Sequence, residues 1–272
     1  MSAVREAVVD GLFYPAAPAA LRAQVVDYLA GAGTADGAVE RGAPPKLLIT
    51  PHAGYEYCGP VAALAYARLE RGNAHAIARV VMLGPAHRVA LDGLAAPRVQ
   101  AFETPLGRVE LDGAALASLD ELPQVVRSDR AHEREHSIEV QLPFLQTLLG
   151  GDFALVPLVV GAADAEAVAQ VLERLWGGDE TLIVISSDFS HYLTYEQAQL
   201  ADRATAQRIL SLAADVSPDQ ACGASAINGA LLAARRHGLV PRLLDLRNSG
   251  DTVGDRDRVV GYGAIVFEER HG

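Results

Sequence analysis

The chain has 272 residues, 50% of them hydrophobic, and its 23 basic and 34 acidic side chains leave a net charge of −11. A globular chain of this length buries about 70–75% of its unfolded surface, so its core needs no disulfide staple. The apolar runs at 155–160 and 182–185 are far short of the roughly 20 residues that span a bilayer, and the acidic balance argues against a nucleic-acid binder, which needs Lys and Arg to neutralise phosphates.

The first fifteen residues mix charges with short apolar stretches and lack the apolar core of a signal peptide. The reading is therefore a cytoplasmic protein, in which the two cysteines, Cys58 and Cys222, are buried thiols or metal ligands and not a disulfide.

In chain order, apolar spacing predicts a helix over 18–30, followed by a surface connection over 30–45 that is rich in Ala, Gly and Pro. Short apolar runs at 46–50, 79–84, 153–161, 181–186 and 262–267 then alternate with helical patterns at 60–71, 134–149, 163–176, 195–213 and 224–238. That alternation is the signature of βαβ units. The stretch 93–111, broken by Pro and Gly, reads as a β hairpin or an extra edge. The fold class is α/β: one domain over 1–272, with a mostly parallel or mixed sheet flanked by helices.

Three of the eight histidines directly follow three of these strands: His52 in PHAGY, His87 in GPAH and His191 in SSDFSH. Loops leaving the carboxyl ends of parallel strands converge on one crevice, and imidazole suits a borderline metal ion. Any one of them alone is better read as a loop cap; together they point to a shared site. The remaining five, His75, His132, His136, His237 and His271, fall on helices, helix ends or the tail. Cys222, just ahead of an apolar helix, is a further candidate ligand, because a thiol near a helix N-terminus is shifted toward thiolate. Cys58 stands at a helix start too, and periodicity does not separate the two. Asp188, three residues before His191, either orients that imidazole for acid/base work or caps the next helix. Ser186, Ser187 and Ser190 lack the Gly-x-Ser-x-Gly elbow of a serine nucleophile.

The string His132-Glu133-Arg134-Glu135-His136 fits H-E-x-x-H formally. Its polar, capped approach places His132 at or before a first turn, so a zinc protease is disfavoured. His136 and Glu139 are read instead as helix residues that point into the crevice or cap it.

The strings PHAGYEYCGPVAALAYA, MLGPAHRV, FETPLGRVELD, EHSIEVQLPFLQ, VPLVVG, SSDFSHY and ACGASAI, in this order, resemble the Memo family, known in prokaryotes as AmmeMemoRadiSam system protein B. The resemblance runs from about Gly11 to the last strand. It implies a fold like the catalytic subunit of class III non-haem iron extradiol dioxygenases of the protocatechuate type. By the same resemblance His52, His87 and Cys222 match the metal ligands, His191 matches an acid/base histidine, and Asp188 belongs to its motif. Cysteine stands where those dioxygenases have a glutamate, and a thiolate softens the site. The implied cofactor is one mononuclear ion, iron(II) with copper and zinc as alternatives. The implied function is a dioxygenase-like oxidoreductase or other redox protein acting on an unidentified small molecule or peptide, with radical SAM and AMMECR-type proteins as partners. A non-catalytic binding module and a zinc-dependent hydrolase are the competing readings.

Overall fold

Residues that alternate along the central strands face two separate apolar cores, which is why those strands read as continuous hydrophobic runs. The computed structural model describes residues 3–35, 45–70 and 76–269. In chain order the elements are β1 (Val4–Arg5), α1 (Pro18–Ala35), β2 (Leu47–Thr50), α2 (Tyr55–Glu70), β3 (Arg79–Pro85), β4 (Leu94–Ala96), β5 (Ala101–Thr104), β6 (Gly107–Glu110), α3 (Gly113–Ala117), β7 (Val125–Arg127), α4 (Asp129–Glu133), α5 (Leu142–Leu149), β8 (Ala154–Val160), α6 (Ala165–Leu175), β9 (Thr181–Ser186), β10 (His191–Leu193), α7 (Tyr195–Leu210), α8 (Ala224–Arg236), β11 (Val240–Asn248) and β12 (Val259–Glu268).

The main sheet is mixed, in the order β10-β12-β2-β9-β3-β8-β4-β7, with β11 also paired to β12. Its centre, β2-β9-β3-β8, is parallel, while β12 runs antiparallel to β2 and β4 antiparallel to β8. Leu48, Val80, Met82, Leu182 and Val184 pack on one face with α1, α2 and α5. Leu47, Ile49, Val81, Leu83, Ile183 and Ile185 pack on the other with α6 and α8. The stretch 93–111 gives both anticipated features. β4 joins the main sheet, and β5 and β6 form an antiparallel hairpin that pairs with β1 in a second, three-stranded sheet. Among the described residues no helix is long and apolar enough to cross a membrane.

Two boundaries and one strand differ from the sequence reading. Helix α1 continues to Ala35 where a connection was expected from residue 30, and the rest of that stretch, 36–44, lies outside the described residues. Helix α2 starts five residues before Pro60, which it tolerates inside its second turn. Strand β11 was missed because it is a half-buried strand that starts near a proline and pairs only with β12, so its apolar pattern is weak.

The largest correction concerns 134–149, read as one helix. Helix α4 ends at Glu133, residues 134–138 are irregular, a 3-10 turn covers Glu139–Gln141, and only then does α5 begin. Glu139 therefore projects from a 3-10 turn and not from a helix. It faces the N-terminal arm: its carboxylate pairs with the Arg5 guanidinium and accepts from the Val8 and Val9 amides and the Tyr14 hydroxyl. Arg5 also donates to the His132 and Glu135 carbonyls. One buried carboxylate thus clamps the arm to the core. Replacing Glu139 by Ala leaves Arg5 buried without its counter-charge, and urea denaturation should show a loss of about 3–5 kcal/mol.

Candidate metal centre

Strand β9 lies between β2 and β3 in parallel register, so the carboxyl ends of the three strands are adjacent, with Thr50 opposite Ser186. His52 leaves β2 and His87 leaves β3, each two residues past the strand, while the Ser187-Asp188 turn leaves β9 between them. His136 enters the same space from the irregular bend at 134–138. One ring nitrogen from each of His52, His87 and His136 lies within 4.8 Å of the others, a grouping able to hold a metal ion. The His87 and His136 rings stack at 5.0 Å between centroids, and His52 meets both edge-on at 5.2 and 5.6 Å. Phe13, on the N-terminal arm, covers His136 at 4.7 Å.

Cys222 precedes α8, and its Sγ lies 3.4 Å from His52 Nε2. Its amide donates to the Asp188 carbonyl at 3.2 Å. Gly223 lets this loop press against β9: a Cβ there would sit 2.7 Å from Ser187 Cβ. Cys58, by contrast, is buried in the core with its thiol against the Ala53 carbonyl.

Asp188 neither caps a helix nor bonds to His191. Its Oδ1 accepts from the His52 amide at 2.7 Å and ties the turn after β9 to the loop after β2, and α7 is capped by Thr194 instead. Among the described residues no hydrogen bond joins Asp188 to His191. His191 is half-buried on β10, opposite Val260, with its ring 5.8 Å from that of Tyr192.

The hydrogen bonds of Ser186 fix the proton on His52. The single Ser186 hydroxyl hydrogen goes to the Ser137 carbonyl at 2.5 Å, and Gln141 Nε2 donates to Ser186 Oγ at 2.8 Å. His52 Nδ1, 3.0 Å from that oxygen, must then be the donor, which leaves a bare lone pair at Nε2. His136 Nδ1 is buried and has no hydrogen-bond partner. An unpaired His136 Nδ1 and a His52 Nε2 lone pair met only by the Cys222 thiol, in an interior that normally pairs its polar groups, are donors a metal-binding cluster can use, and the residues fit such an ion.

Comparison with known proteins places nearly the whole chain in one family. The family model described as Memo-like protein matches residues 5–266. A MEMO1 family protein of Methanopyrus kandleri is 36% identical over 289 residues, covering 97% of this chain and 98% of the relative. One from Aquifex aeolicus is 34% identical over 97% of this chain and 99% of its own length. The chain belongs to the Memo family. In fold it is similar to an uncharacterized protein of Escherichia coli K12, with a TM-score of 0.51 and 11% identity over 81% of this chain and 98% of that one.

In this Memo-family chain two of the clustered histidines, His52 and His136, are held uncharged. Burial first, then the neighbouring His87, pushes His52 down to about 3; burial and His52 push His136 down to about 4. Cys222 departs from its sequence reading. Burial and then the Asp188 carboxylate raise the thiol to about 12, outweighing its place ahead of a helix, so without metal it is a thiol. Burial also raises Asp188, partly offset by the His52 amide and nearby histidines.

The H-E-x-x-H string does not form a zincin site. His132 is buried on α4 and bonds through Nε2 to the Ala95 carbonyl at 2.9 Å, while its ring packs edge-on to Phe102. Because α4 ends between the two histidines, His132 and His136 face different places, and only His136 reaches the crevice. A cavity of about 790 Å³ beside Arg5, Val8, Arg130 and His132 contains none of the three clustered histidines. His75 and His271 lie outside the described residues, and His237 stacks on Trp176 at 3.8 Å.

His132 yields a pH prediction. Burial lowers it from 6.5 to about 4, so between those values the unfolded state holds a proton that the folded state refuses. Stability therefore falls as pH falls through that window, by about 1.4 kcal/mol per pH unit for one group. Urea denaturation from pH 6.5 to 4 should show a shallower decline for His132→Gln than for wild type.

Proposed function

We propose that this Memo-family chain is a metalloprotein that uses a single ion, iron or copper, for redox chemistry of a dioxygenase-like kind. The observation that carries the reading is the convergence of the His52, His87 and His136 ring nitrogens within 4.8 Å, with the Cys222 thiol against His52 Nε2. His52, His87 and Cys222 would hold the ion, with His136 as a further imidazole donor. Such a mixed nitrogen and sulfur set suits iron, copper and zinc alike. The ion, when bound, would supply a redox-active Lewis acid with a position open to substrate. Cys222 would give up its proton on binding, so its raised thiol makes metal uptake pH-dependent.

The remaining chemistry belongs to the chain. Asp188 Oδ1 is engaged by the His52 amide, while Oδ2 has no hydrogen-bond partner among the described residues and is available to a substrate proton. His191, half-buried at the edge of the same loop, would take or give a proton at an imidazole nitrogen. Phe13 and the β9 turn would limit water around His136 and His52.

Elemental analysis of anaerobically purified protein tests the reading. Wild type should carry one ion per chain, His52→Ala and His87→Ala should lose it, and Cys222→Ser should retain it more weakly. Metal content unchanged by all three substitutions would refute the site. Oxygen uptake with a catechol panel should depend on the loaded metal and fall in His191→Ala without loss of the ion.

A further inference from the structure

Glu135 is buried, and its carboxylate has four donors. Oε1 accepts from His87 Nδ1 at 2.9 Å, from the His136 amide at 2.9 Å and from the Ser137 amide at 3.0 Å; Oε2 accepts from the His87 amide at 2.7 Å. Three of the four donors belong to two of the clustered histidines. Three of these donors are backbone amides, which can only donate, and they engage both oxygens, the setting of an ionised carboxylate. The neighbouring buried glutamate, Glu139, spends its bonds on the N-terminal arm. The two glutamates of EHSIE therefore serve different parts of the molecule.

An ionised carboxylate only accepts hydrogen bonds. His87 Nδ1 must therefore carry the hydrogen, and a neutral ring then has its lone pair at Nε2. Paired in this way, a carboxylate fixes the ring of a ligating histidine and raises its basicity. His52 is oriented differently, by the neutral Ser186 hydroxyl. Close packing holds the stretch that follows Glu135 against β3: a Cβ on Gly84 would sit 2.5 Å from Ser137 Oγ.

We propose that Glu135 is a positioning residue of the metal centre, acting through His87: it locks His87 as the Nδ1–H tautomer, aims Nε2 at the ion and makes His87 the stronger imidazole donor of the pair with His52. The proposal rests on the metal reading above, and its test separates the two.

Metal-free wild type and Glu135→Gln are titrated with Co(II), followed by the visible bands of the bound ion. The amide keeps the shape but sets an N–H where an acceptor is needed. The Kd of the variant should rise about 10–100-fold, with shifted Co(II) bands. Asp112→Ala, which loses the Arg79 pair and the α3 cap at the opposite end of β3, controls for general destabilisation and should leave Kd unchanged. Long-range 1H–15N correlation on metal-free wild type should show His87 as the Nδ1–H tautomer, and this arm decides the matter if Glu135→Gln does not fold. A wild type that binds no Co(II) overturns the metal reading and this role with it. Binding by wild type with unchanged Kd in Glu135→Gln, or His87 found as the Nε2–H tautomer, overturns this role alone.

Discussion

Polar groups taken into a protein interior must be paired there, and the segment 135–141 meets that constraint four times in seven residues. Glu135, Ser137, Glu139 and Gln141 are each exposed by 2% or less. Glu135 grips the loop after β3, and Ser137 and Gln141 grip Ser186 at the end of β9. Gln141 also reaches the Pro51 carbonyl after β2 and, through Oε1, the hydroxyls of Thr50 and Tyr66. Glu139 holds the N-terminal arm, whose Phe13 closes over His136. Three strand ends and the arm are thus fastened to one short stretch of chain, and the histidine cluster sits among those fastenings.

This arrangement explains the electrostatics of the crevice. In a poorly solvated interior a protonated imidazole is disfavoured, so His52 and His136 keep their lone pairs well below neutral pH. The same burial keeps Cys222 protonated. A divalent ion held there by the proposed ligands would change that balance by displacing the thiol proton. The centre is therefore preorganised in its imidazoles and conditional in its thiol.

Much of this was legible in the sequence, for physical reasons. Strands buried on both faces must be apolar throughout, so β3, β8 and β9 announced themselves, and parallel strands direct their following loops to one edge, which located His52 and His87. β11 escaped notice because a half-buried strand carries a weak pattern, while the buried β12 runs past both ends of the 262–267 run that the sequence showed. Segment 134–141 was misread for a more interesting reason. It was joined to the helix that begins at Leu142, although polar and apolar residues alternate over 137–142, as they do in no amphipathic helix. Four polar residues at every second position, each needing an interior partner, were the signal that would have exposed Glu135 and Gln141. The position of His136 in the crevice was anticipated, but not its delivery from a bend. No pattern could show that Asp188 would bind the His52 amide and not His191, since that depends on two loops meeting in space.

The central claim is that one ion sits among these imidazoles, and anomalous diffraction from crystals of the metal-loaded protein tests it most directly. The account predicts a single anomalous peak at about 2.0–2.1 Å from His52 Nε2 and His87 Nε2, the usual metal–imidazole distance, with Cys222 or His136 completing the set. A peak elsewhere in the molecule, or a fully loaded crystal with no peak between His52 and His87, would contradict it.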